Sequence, residues 1–125
     1  MAVHAGLSST VELDVTHADT AVAAGSGDVP VLSTPRIIAL VEQAAFAAIQ
    51  VRLDDGWTSV GVRVQVEHIS PTAVGRTVRA EACLEKVEGH RYMFTVNAYD
   101  DRGLVAAGKV TRVAVNRERF LEKVR

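Results

Sequence analysis

The chain has 125 residues, 48% of them hydrophobic, enough for one domain with its own core and too few for two of ordinary size. Lys and Arg nearly balance Asp and Glu at a formal net charge of −1, so no overall basic field would draw the protein onto DNA, RNA or an anionic membrane. The lone cysteine, Cys83, excludes an internal disulfide, no stretch approaches the roughly 20 apolar residues that span a bilayer, and the start MAVHAGLSST lacks the pattern of an export signal. A soluble, cytoplasmic protein is expected, with Cys83 as a small buried or half-buried packing residue.

In GLSSTVELDVT, Gly6 to Thr16, the apolar residues Val11, Leu13 and Val15 alternate with polar ones, the pattern of a half-buried strand. HADTAVAAGSGDVPVLS follows without a clear period, and its glycines and proline predict a loop, read here as a mobile flap. A helix is predicted from about Thr34 to Leu53. Ser33 or Thr34 offers a capping oxygen, Pro35 sits where its missing N–H costs nothing, and DDGW ends the element. Ile37, Ile38, Leu40, Val41, Ala44, Ala45, Ala48 and Ile49 cover well over a third of its circumference, so the helix should be largely wrapped.

After Trp57 the period changes to two. Val60, Val62, Val64, Val66 and His68 share one face of a predicted strand, and Gly61, Arg63, Gln65 and Glu67 the other. SPTAVG turns the chain into a strand carrying Val78, Ala80, Ala82 and Leu84. The EGH turn leads to Tyr92, Phe94, Val96 and Ala98, and DDRG to a last strand, LVAAGKVTRVAVN, before the charged tail. One long helix and five strands, four of them consecutive, define a single α+β domain over residues 1–125 in which one helix faces one mainly antiparallel sheet.

Three polar residues do not fit simple packing. Glu42 has Ile38, Ala39, Ala45 and Phe46 one turn away on either side, so no residue of its own helix can pair with its charge. His68 extends the valine face that should meet the helix. A carboxylate and a histidine on facing surfaces are the constituents of an acid/base or nucleophilic site, whereas each alone is more simply an edge carboxylate or a hydrogen-bonded rim histidine. Thr34 stands at a helix N-terminus, where free N–H groups can hold an oxyanion, or where its hydroxyl is only a cap. Eight helical residues separate Thr34 from Glu42 by about 12 Å along the axis, so a small acyl group could hardly touch both on one helix; a site using both would more easily combine two subunits.

Other signals are weak. His4, His17 and His90 have no metal-ligand spacing, no phosphate loop or dinucleotide fingerprint is present, and Ser70 before Pro71 lacks the glycines of a nucleophile elbow. Neither a metal nor a cofactor is expected. Arg63, Arg76, Arg79, Arg91, Arg112 and Arg117 are expected to be mostly solvated, with some able to meet phosphates of a nucleotide-like ligand.

Strand, loop, the STPRIIALVEQAA helix, then GVRVQVEHISPTAVGRTV and three more strands resemble the hot-dog thioesterase superfamily, most closely the fluoroacetyl-CoA thioesterase subgroup, over about Val11 to Arg117. Thr34, Glu42 eight positions on, and His68 after a glycine-containing strand stand where that subgroup carries its catalytic threonine, glutamate and histidine. The resemblance implies those roles here, and a substrate-binding role for Gly61, whose other reading is a bulge. It also implies acyl-CoA substrates with CoA as the only cofactor-like group, a homodimer that could pair into a tetramer, and active sites at the subunit interface. AVAAGSGDVPVLS holds no aromatic residue where the fluoroacetyl type has an aromatic lid, so thioester hydrolysis is implied more firmly than a fluoroacetyl substrate. Two other activities suit the same scaffold: hydration or dehydration of acyl thioesters, and non-catalytic binding of an acyl or small ligand.

Overall fold

The computed structural model describes residues 3–125. Strand β1 spans Ser8–Asp14; a single 3-10 turn at His17–Asp19 and a short helix α1, Ala21–Ala24, lead to the long helix α2, Thr34–Gln50. Strands β2 (Trp57–His68), β3 (Thr77–Glu88), β4 (Arg91–Asp100) and β5 (Gly103–Asn116) follow, and α3 (Arg117–Glu122) closes the chain. All neighbouring strands are antiparallel, in the order β1-β3-β4-β5-β2. The sheet curls about α2, which touches all five strands.

Alternation explains the core. Val78, Ala80, Ala82 and Leu84 from β3 and Tyr92, Phe94, Val96 and Ala98 from β4 are all buried, as are Ile37, Leu40, Val41, Ala44, Ala45, Ala48 and Ile49 from α2. Alanines on both surfaces let the helix axis approach the sheet closely, and each large aliphatic removed from water contributes about 1.5–3 kcal/mol. Helix α2 begins where expected and ends at Gln50 rather than Leu53, with Val51 as its C-cap.

Two expectations change. The segment read as a mobile flap is held by backbone bridges Thr20 to Leu32 and Val31 to Ala73. Asp19 ties it further, because its carboxylate accepts from Thr16 N at 2.8 Å, Thr16 Oγ1 at 3.0 Å and Arg36 Nε at 3.0 Å. Small residues without a period gave no sign of these long-range ties.

The second change concerns β2. Its register against β5 slips between Gly61 and Arg63, so Val62 is an extra residue, a β-bulge. A one-residue slip sends every side chain beyond it to the opposite face. Val64, Val66 and His68 therefore keep the expected helix-facing side, whereas before the bulge that side belongs to Trp57, Ser59 and Gly61. Val62 is 51% exposed, and the expectation that Val60 and Val62 face the helix is overturned. Gly61 faces α2 instead.

Candidate active site

Helix α2 runs antiparallel to β2, and polar groups meet between them at two levels. At the N-terminal level Ser33 caps the helix by accepting from Arg36 N at 3.1 Å. The hydroxyl of Thr34, freed from capping, lies 2.9 Å from Nδ1 of His68 at the end of β2, with the imidazole tautomer deciding which group donates. The other ring nitrogen, Nε2, is buried and makes no hydrogen bond. Burial holds the pKa of His68 below the ordinary histidine value, and the Ser70 backbone pulls more weakly the other way. The imidazole is therefore neutral near pH 7, with one nitrogen tied to Thr34 and one unused. Thr34 and His68 line a cavity of about 390 Å³ with Val29, Val31, Ile69 and Pro71.

The second level lies further along α2. Glu42, one-third exposed, accepts from Arg112 Nη1 on β5 through Oε2 at 3.2 Å. Arg112 stands directly opposite Gly61 in the β2/β5 ladder. Its Nε donates to Ser59 Oγ and its Nη2 to the Ser59 carbonyl, both at 2.8 Å, and the guanidinium carbon lies 5.6 Å from the centre of the Phe46 ring. Burial pushes the arginine pKa down, and the Glu42 carboxylate beside it counteracts that. The expectation that Arg112 is solvated is overturned: it is 7% exposed, buried under the helix by the strand period that also buries Val110 and Ala114. Placing Arg112 between those two residues in VTRVA was the available signal. Ser59 gave none, because the bulge that turns it inward is not legible in a valine-rich alternation.

Gly61 is the point of closest approach. A Cβ there would overlap Glu42 Oε2 and stand 3.2 Å from Glu42 Cδ and 3.4 Å from Arg112 Nη1. The side-chain-free position is what lets the carboxylate and the guanidinium meet over β2. The reading of this residue as part of a bulge holds, since the register slip begins beside it.

Of the residues singled out in the sequence, Thr34 meets His68, and Glu42 meets Gly61. These two groups do not touch each other within one chain: they are one helical segment of about 12 Å apart, and the cavity at Thr34 and His68 is not lined by Glu42 or Gly61. The remaining arginines behave as expected where their partners are described; Arg76 and Arg79 make exposed ion pairs with Asp101 and Glu12. Cys83 is half-buried. Among the described residues no three His, Cys, Asp or Glu side chains converge as a metal set would, and no helix is long and apolar enough to cross a membrane.

A curled antiparallel sheet wrapped around one long central helix is the hot-dog fold. Residues 15–118 match the profile of the fluoroacetyl-CoA-specific thioesterase family. A fluoroacetyl-CoA thioesterase from Streptantibioticus cattleyicolor is 34% identical over 95 residues, 76% of this chain and 68% of that protein. A solved structure of the fluoroacetyl-CoA thioesterase superposes with a TM-score of 0.93 at 28% identity, covering 99% of this chain and 96% of that one. A hot-dog-like protein from Thermanaerovibrio acidaminovorans follows the same path at a TM-score of 0.88 and 29% identity, over 96% and 89% of the two chains. The chain belongs to the fluoroacetyl-CoA-specific thioesterase family and is a thioester hydrolase.

Proposed function

We propose that the protein hydrolyses small or medium acyl-CoA thioesters to the free acid and CoA at a site built from two copies of the chain, with Glu42, His68 and Thr34 as its reacting groups and Gly61 against the acyl group. The observation that carries this reading is the division of the polar residues into two clusters that one chain keeps apart. Strand β2 lies at the sheet edge with one side of its ladder unpaired, and Val62, Ile69 and Phe46 add exposed apolar surface beside it. Antiparallel pairing of β2 with its two-fold copy brings the His68 end of one strand toward the Gly61 end of the other. Glu42 of one copy then shares a site with Thr34 and His68 of its partner.

In that site the Glu42 carboxylate, held beside Arg112, attacks the thioester carbon, or takes a proton from the water that does. Free N–H groups at the start of α2 and the Thr34 hydroxyl stabilise negative charge on the thioester oxygen. The neutral His68 carries a proton between water and the departing CoA sulfur. The cavity at Thr34 and His68 is walled by Ala21, Val29, Val31 and Leu32 with no aromatic side chain, which favours acyl groups larger than fluoroacetyl.

Subunit mixing tests the arrangement. Glu42→Gln and His68→Gln are each expected to remove most CoA release, and refolding them together at equal amounts should restore about a quarter of wild-type activity, because half of the dimers are mixed and each mixed dimer holds one intact site. No recovery, with mixed dimers demonstrated by tag exchange, would place the whole site in one chain and overturn the proposal.

A further inference from the structure

We propose that Ser59 is a positioning residue for this reaction: by taking two of the buried donors of Arg112, it fixes the guanidinium and through it aims the carboxylate of Glu42. The inference rests on the thioesterase reading above and adds a residue to it.

A guanidinium taken out of water must have its N–H groups satisfied, and the geometry of the acceptors then sets its plane. Ser59, itself 5% exposed, supplies two of the three acceptors of Arg112, one from its side chain and one from its backbone, each at 2.8 Å. The remaining bond, to Glu42, is longer at 3.2 Å and goes to a side chain that is 32% exposed. Orientation therefore passes in one direction, from the rigid strand through Ser59 to Arg112 and on to the flexible carboxylate. The β2 bulge makes this possible, since only its shift of register turns Ser59 and Gly61 together toward α2. An apolar residue would fill the same space beside Ala114, its partner across the ladder, but would leave Nε without an acceptor, so the hydroxyl both satisfies that donor and fixes the guanidinium plane.

The serine hydroxyl can be removed without disturbing the carbonyl bond. Ser59→Ala should leave the protein folded, with Nη2 still held and Nε without its acceptor. The expected result is a kcat lowered about tenfold with KM within about twofold of wild type, since the carboxylate is misaimed while the acyl-CoA surface is untouched. Ser59→Thr, which retains the oxygen, should recover most of the lost kcat. In an Arg112→Gln background Ser59→Ala should cause no further loss, because Ser59 acts only through the arginine.

Glu42→Gln measured on the same acyl-CoA separates the possible failures. An active Glu42→Gln enzyme would sink the thioesterase site itself. An inactive Glu42→Gln together with a Ser59→Ala enzyme of wild-type kcat would overturn the positioning role alone. A lower melting temperature without any change in kcat would likewise assign Ser59 to packing and refute the inference.

Discussion

Gly61→Ala gives the most direct test of how the carboxylate is held. The backbone at residue 61 is not among the glycines with positive φ, so alanine is sterically acceptable to the strand itself. Its methyl carbon, however, would overlap Glu42 Oε2 and stand 3.4 Å from Arg112 Nη1. The carboxylate sits at the end of a flexible side chain, so it yields rather than the backbone. Reaching ordinary van der Waals separation moves the oxygen by more than about 1 Å, and a misplacement of that size costs on the order of 100-fold in rate, about 2.7 kcal/mol in the barrier. Stability should change in the opposite sense or hardly at all, because replacing glycine within a strand recovers up to about 1 kcal/mol of backbone entropy. The assay is CoA release under saturating acyl-CoA, paired with thermal melting of the same sample. A Gly61→Ala enzyme with wild-type kcat and an unchanged melting temperature would show that the close approach of Glu42 to β2 has no part in turnover.

The acidic limb of kcat/KM should report His68. Burial lowers its pKa, so the neutral form persists below pH 6.5, and activity should fall only as pH drops through the lowered value; a limb at or above 6.5 that survives in His68→Gln would refute the assignment. Stability follows the same sign: below 6.5 the unfolded chain binds the proton more readily than the native one, so the native state loses stability as pH falls toward the lowered value, a loss absent from His68→Gln in urea titrations. Arg112→Lys keeps the charge but cannot make the fork to Ser59 and Glu42 together, and a kcat reduced at least tenfold is expected in steady-state assays. Asp19→Ala removes three hydrogen bonds from the segment before α2 and should cost about 1–3 kcal/mol in chemical denaturation.

Much of this architecture was legible from period alone. The alternation in β3 and β4 named every core residue of those strands, and the apolar width of α2 required a sheet that wraps it. Thr34 and His68 were found from their places at the helix start and on the strand face, and their contact at 2.9 Å joins them. Glu42 stood out because its own helix offered no counter-charge; the counter-charge came instead from residue 112, far along the chain, which only the folded sheet brings near. Local spacing cannot encode such a pairing. Likewise, Val60 to Val66 alternate without interruption in the sequence, so the register slip at Val62 is invisible there: the extra residue is itself a valine.

That one valine makes β2 two rulers joined half a step out of phase. Substitutions along the strand alter single side chains, but a deletion at residue 62 would bring the rulers back into phase and exchange inside for outside along whichever half gave way. Either Ser59 and Gly61 would leave the helix, taking the cradle of Glu42 with them, or Val64, Val66 and His68 would. The length of this strand is consequently under a tighter constraint than its composition, and a gap of one residue in β2 when related chains are compared would signal a change of chemistry where the overall fold remained the same.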